Sequence, residues 1–155
     1  MLPAFPVLRM AHLACVLALA LAACGVIGPS KEKVEAFCGE VVPQIAEWRA
    51  EALTPYGTEE FNRKLASADQ RRMFVVFSKL GGLTSFDAPR MTGYSTATGK
   101  GTYVSVEIDA RFARGPAVMR LTLRSSDGSL KLQGVDISSP VFGDPSAHPN
   151  AVQQI

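Results

Sequence analysis

Histidine is the scarcest chemically useful residue in this chain. There are two in 155 residues, His12 and His148, and both lie outside the stretch that reads as folded. Their positions exclude a Ser-His-Asp or Cys-His constellation within the fold, and any histidine-based metal site. Cysteine is almost as sparse, with Cys15, Cys24 and Cys38. With so few cysteines, the fold is expected to stand on its apolar core. An excess of either charge is also missing. Sixteen Lys and Arg against fourteen Asp and Glu give a formal net charge of +2, which leaves no electrostatic footprint for a nucleic acid. The apolar stretch from Leu13 to Ala23 is about 11 residues, short of the roughly 20 that a spanning helix needs. There is no internal repeat and no low-complexity block.

What is present starts at the N-terminus. Residues 1–12 hold one permanent charge, Arg9, beside His12; Leu13 to Ala20 then run without a polar side chain. Leu21, Ala22 and Ala23 precede Cys24. This order resembles the bacterial lipoprotein signal, whose box is an aliphatic residue, two small residues and a cysteine. The resemblance implies that a peptidase cuts before Cys24, where the small residues let it approach, and that the Cys24 sulfur carries a diacylglyceryl group as a thioether. Cys15 does not fit that role, because His12 stands three residues before it and cleavage there would leave almost no apolar core. A single acyl chain, worth about 0.8 kcal/mol per buried methylene, binds reversibly, and two or more give stable attachment. Gly25 follows the cysteine. Asp at that position favours inner-membrane retention in enteric bacteria, so Gly points to an outer membrane, with the body facing the periplasm. The expected division is a signal peptide over 1–23, a lipidated tether over 24–30, one α+β domain over 31–139 and a loosely ordered, proline-containing tail over 140–155.

The expected domain opens with helical periodicity. Ser30 is positioned as an N-cap, and Val34, Phe37, Cys38, Val41, Ile45 and Trp48 form one stripe. Pro43 lies opposite that stripe, where it would bend the helix over a core. One bent helix over about 31–53 is the expectation, ended near Pro55 and Gly57. A second helical stretch starts at Thr58, with Phe61 and Leu65, and restarts at Ser67, which forms a capping box with Gln70. Met73, Val76, Phe77 and Leu80 continue it. Phe74 and Val75 widen the apolar surface, which predicts burial on more than one side, and Gly81-Gly82 ends it.

After Pro89 the period becomes two. Residues 90–98 read as a weak strand and Thr98 to Gly101 as a turn. Val104, Val106, Ile108, Ala110 and Phe112 then alternate with polar neighbours, and so do Ala117, Met119, Leu121 and Leu123 beyond a turn over Ala113–Pro116. Placing Ile108 opposite Leu121 aligns both apolar rows and sets Asp109 opposite Arg120. Ser126-Asp127-Gly128 makes the next turn. The last strand carries Leu130, Leu132, Val135 and Ile137, with a phase slip at Gly134 that predicts a bulge. The expected fold is therefore α+β, with N-terminal helices packed on one face of a four-stranded antiparallel meander.

The stretch YVSVEIDARFARGPAVMRLTLRSSDGSLKLQGVDISS, Tyr103 to Ser139, resembles the cystatin-like and nuclear-transport-factor-2-like superfamily. It is most similar in style to small bacterial lipoproteins of unassigned role that carry such a domain. The shared features are a strand, an aromatic-X-X-Gly turn, a strand, an Asp-Gly turn and a closing strand ending near Ile-Ser. Many relatives carry a Trp in the final strand, where this chain has Leu130 and Leu132, so no family-specific role is carried over.

Candidate chemistry is thin. Glu107 and Asp109 are the strand-borne acid pair, sharing one face at i and i+2. Arginines nearby would keep both ionised, so a solvated cross-strand pair is the simpler reading. Arg111, Arg120, Arg124 and Lys131 share that outer face, with Arg114 at the turn; they suit either a charged soluble surface or an anionic lipid or polysaccharide. Cys38 sits on the core stripe as a buried thiol, with an intermolecular disulfide as the sharper alternative. Trp48, Phe61, Phe74 and Phe77 are plain core or the lining of a pocket. No catalytic set, metal site or cofactor is expected. The overall expectation is a non-enzymatic, membrane-anchored interaction or binding module with a possible envelope protein partner and no nucleic acid. The alternative is an accessory protein that carries or senses a small apolar ligand.

Overall fold

The computed structural model describes residues 28–97, 99 and 101–143. Leu21, Ala22, Ala23 and Cys24 lie outside the described residues, as do the leader, His148 and the chain from residue 144. Helix α1 (Lys31–Ile45) starts where the Ser30 hydroxyl accepts from the Lys33 N–H at 3.4 Å. Val34, Cys38, Val41, Val42 and Ile45 form its buried stripe, and Pro43 is exposed on the opposite side.

The single bent helix expected over 31–53 is instead two helices. α1 stops at Ile45, and α2 (Ala50–Leu53) follows a turn in which Trp48 takes a left-handed backbone, φ +56°. That conformation costs a residue with a Cβ about 1–2 kcal/mol. The indole offsets it: Nε1–H donates to the Gly81 carbonyl at 3.1 Å, and the ring sits 5.3 Å from Phe112 and 6.1 Å from Phe77. α3 (Glu59–Leu65) is capped by Thr58, whose hydroxyl accepts from the Phe61 N–H at 3.1 Å. α4 (Ala68–Phe77) is capped by Ser67, which accepts from the Gln70 N–H at 3.3 Å. α4 buries one face, through Phe74 and Phe77. Val75 is 68% exposed, so the expectation of burial on several sides fails there. A short 3₁₀ turn, Ser78–Leu80, ends at Gly81 with φ +78°.

Five antiparallel strands follow, where four were expected. The additional one is β1 (Leu83–Phe86). It and β2 (Arg90–Ala97) lie end to end along the same side of β3 (Gly101–Phe112), with Phe86 opposite Ala110 and Arg90 opposite Glu107. β4 (Gly115–Ser126) and β5 (Ser129–Ser138) complete an open sheet. The β3–β4 turn is only Ala113 and Arg114, so Ile108 faces Met119 and Glu107, rather than Asp109, faces Arg120. The expected register was two residues away. A two-residue shift keeps every side chain on its face, so both apolar rows stay inside while the charge pairing changes. The bulge expected at Gly134 is present: Thr122 pairs with Gly134 and Leu123 with Leu132, leaving Gln133 extra.

The inward residues of β3, β4 and β5 join those of the helices in one core, including Phe61, Ile108, Met119 and Leu121, each at most 1% exposed. Two features close its margins. The α2–α3 link clips to β5 by a parallel bridge, Thr58 N–H to the Leu132 carbonyl at 2.9 Å and Leu132 N–H to the Tyr56 carbonyl at 2.8 Å. Gly57 lies at that bridge, where a Cβ would come within 2.6 Å of Phe61 Cδ1. The start of the expected loose tail is also structured: Pro140–Phe142 is a 3₁₀ turn, and the Phe142 ring lies 5.8 Å from Phe77. Ser139 secures it by accepting from the Val141 N–H at 3.2 Å and donating to the Pro116 carbonyl at 2.6 Å.

Candidate functional site

Alternation puts the apolar residues of each strand under the helices and the polar ones on the opposite face. That outer face carries an ion-pair chain across three strands. Arg90, on β2, donates to Glu107 Oε1 at 2.9 Å and to Asp109 Oδ2 at 2.6 Å. Arg120, on β4, donates through Nε to Glu107 Oε2 at 3.1 Å. Glu107 is the central and best shielded member, its side chain 27% exposed against 45–53% for the other three. The Arg90 hydrogen bond holds the Glu107 carboxyl below the usual glutamate range against the opposing effect of burial, and Arg120 adds to it. Both carboxylate oxygens are thus engaged by guanidinium groups. This is the chemistry of a fixed charge, not of a group that gives up a proton near neutrality. One strand further on, burial pushes the Asp136 carboxyl up, while the charge of Arg120 pulls it down.

Recesses flank this chain on both sides. Towards the β3–β4 turn lies an open groove of about 730 Å³ lined by Asp87, Asp109, Arg111, Pro116, Val118 and Ser138, and continuing to Gly143. In the other direction, a cleft of about 440 Å³ is lined by Thr92, Ser105, Arg120, Thr122 and Asp136, with Lys64 of α3 on its rim. Asp109 borders the first and Arg120 the second, so the ion pairs form the ridge between them. The bulge aims Gln133 at α3: its side-chain oxygen accepts from the Thr58 hydroxyl at 2.9 Å, and its amide donates to Glu60 at 3.0 Å. Gln133 also lines the cleft, so the bulge closes that side.

The basic residues read from the sequence do share the outer face, but they are not one patch. Arg120 is committed to Glu107. Lys131 donates to the Pro55 carbonyl at 2.9 Å, and Arg114 reaches the Lys79 carbonyl at 3.4 Å. Arg111 lines the larger groove, and Arg124 has a buried Nε without a hydrogen-bond partner. Cys38 is fully buried, and burial pushes its thiol up to about 12.

The four candidate pocket aromatics are not gathered around one cavity. Phe61 and Phe77 are buried in the core, and Phe74 meets Phe77 edge to face at 6.5 Å. Trp48 and Phe74 also line a shallow surface recess of about 280 Å³ beside the exposed Val75. Among the described residues, no group of three His, Cys, Asp or Glu side chains is placed to hold a metal ion, and no helix is long and apolar enough to cross a membrane.

Sequence reasoning missed Arg90, Asp87 and Asp136. Asp136 was available from the alternation of β5. Asp87 directly follows β1, whose four residues, Leu83–Phe86, give no usable period, and Arg90 meets Glu107 through a β2–β3 register that shifts between Met91 and Gly93. Compared with protein-family models, curated proteins and solved structures, the chain finds no match.

Proposed function

We propose that this chain is a bacterial envelope lipoprotein, held by acyl chains on Cys24 and acting as a non-enzymatic interaction module. The observation that carries the reading is the run Leu21-Ala22-Ala23-Cys24 after an apolar stretch, joined almost directly to a domain that begins at Ser30. Gly25 favours an outer membrane, with the body in the periplasm. The N-terminal helices on one face of an antiparallel sheet support a cystatin-like or nuclear-transport-factor-2-like fold for the domain. The outer face is the interaction surface, because its grooves flank a pre-paired charge ridge while the opposite face is spent on the core. A carrier of a small apolar ligand is the second reading. The apolar floor of the larger groove, Pro116 and Val118, favours it at that place rather than among the core aromatics.

The test is the intact mass of the full chain recovered from bacterial membranes. The expected product lacks the first 23 residues and carries acyl chains at Cys24, and Cys24→Ser accumulates as an uncleaved, unacylated precursor. A soluble protein with its leader attached and a bare thiol at Cys24 would refute the anchor.

A further inference from the structure

The described chain enters the domain at one end of the sheet, and that position fixes which end an anchor would hold. Gly28, Pro29 and Ser30 share a recess with Lys33, Gly101, Thr102 and Ser125–Gly128. A Cβ at Gly28 would stand 3.1 Å from the ring of Tyr94. The entering segment is therefore seated against the ends of β2, β3 and β4, where the β2–β3 and β4–β5 turns lie. Cys24 is four residues before Gly28, so the tether reaches at most about 14 Å when fully extended, at 3.3–3.6 Å per residue. β4 runs from Ser126 at this end to Gly115 at the other, a distance of about 36 Å at 3.3 Å per residue. The short tether cannot span the length of the sheet.

We propose that the partner of this end is the lipid surface itself. The β2–β3 and β4–β5 turns face the bilayer, the strands point away from it, and the groove beside Pro116 and Val118 opens into the aqueous compartment at the far end. This orientation rests on the lipid-anchor reading of Cys24 and adds to it a direction. The smaller cleft beside Arg120 then sits partway along the sheet, and a large partner reaching it must pass close to the membrane. A soluble partner meets the larger groove without that obstruction.

Single labels at the two ends test it. The full chain is produced in a bacterial host, acylation is read by intact mass, and the protein is reconstituted into phosphatidylethanolamine–phosphatidylglycerol vesicles whose headgroups carry a nitroxide. Ser129→Cys reports the near end and Arg114→Cys the far end; both positions are exposed. Labelling is selective, because Cys24 is acylated and Cys38 is buried with its thiol pushed up to about 12. Circular dichroism melts that match the parent chain establish that both variants fold. Fluorescence quenching several-fold stronger at Ser129→Cys than at Arg114→Cys is expected. Equal quenching, or stronger quenching at Arg114→Cys, in acylated protein overturns the orientation and leaves the anchor standing. Protein with no acyl group at Cys24 overturns both.

Discussion

Ile108 and its neighbours Glu107 and Asp109 stand on one strand and live in different worlds. Ile108 is fully buried beneath the helices, whereas Glu107 and Asp109 hold Arg90 and Arg120 in water on the other face. The inner face is apolar and buried from Val104 to Phe112, and its contribution is burial. The outer face is arranged by direction and charge, and its contribution is the ion-pair ridge between two grooves. A period of two lets twelve residues of β3 serve both, with no residue serving each at once. A change of side chain should therefore be felt as stability on one face and as charge arrangement on the other.

The most direct way to break that comparison is on the inner face. Ile108→Ala should destabilise the domain by about 2–5 kcal/mol, the cost of a buried Ile truncation and its cavity, measured by denaturant unfolding. Arg120→Ala on the opposite face should leave the midpoint nearly unchanged at neutral pH. Equal losses at the two positions would mean that the outer ion pairs are part of the core's support. A smaller effect is expected where the helices meet the sheet. Trp48→Phe keeps an aromatic ring but removes the N–H that donates to Gly81, so about 1 kcal/mol should be lost. A loss matching Ile108→Ala would show that the indole packing, and not the hydrogen bond, sets the helix break.

The subtlest test separates two carboxylates by acid titration of stability. Glu107 binds its proton less tightly folded than unfolded, because Arg90 holds the charged form. Its stabilisation is complete above the unfolded value and is lost as pH falls through the lower folded one. Asp136 is the reverse: burial raises its folded value, so its charge opposes folding at neutral pH and protonation relieves that as pH falls. Melting temperatures read between neutral and acid pH should fall less steeply in Glu107→Gln and more steeply in Asp136→Asn. Parallel acid limbs in both variants and the parent would contradict this assignment of opposite signs.

Legibility followed the physics of each element. The inner rows of β3 and β4 were readable because one-sided burial imposes strict alternation over twelve residues. Their register was not, because that alternation is unchanged by a two-residue shift. The two-residue turn at Ala113 and Arg114 decided it, and Glu107 became the partner of Arg120. The caps at Ser30 and Ser67, and the helix start at Thr58, were readable because a hydroxyl before an apolar stripe satisfies a free N–H. The break at Trp48 was hidden, since the stripe runs through it and only the distant Gly81 carbonyl and Phe112 ring justify the left-handed backbone. The outer-face chain was half visible: Glu107, Asp109 and Arg120 were read from β3 and β4, while the place of Arg90 opposite Glu107 depends on a β2–β3 register that shifts between Met91 and Gly93, which a weakly alternating strand does not announce. The grooves depend on where backbones diverge, which no local pattern encodes.

The bridge at Gly57 has a consequence of a different kind. β5 is the last strand of the sheet, and an open final strand is a template onto which a sister molecule can zip. Tyr56 and Thr58 occupy the Leu132 positions that such a sister would need, and they do so because Gly57 carries no side chain to collide with Phe61. Pairing at Leu132 is thus pre-empted by a link between two helices, far in sequence from the strand whose edge it occupies.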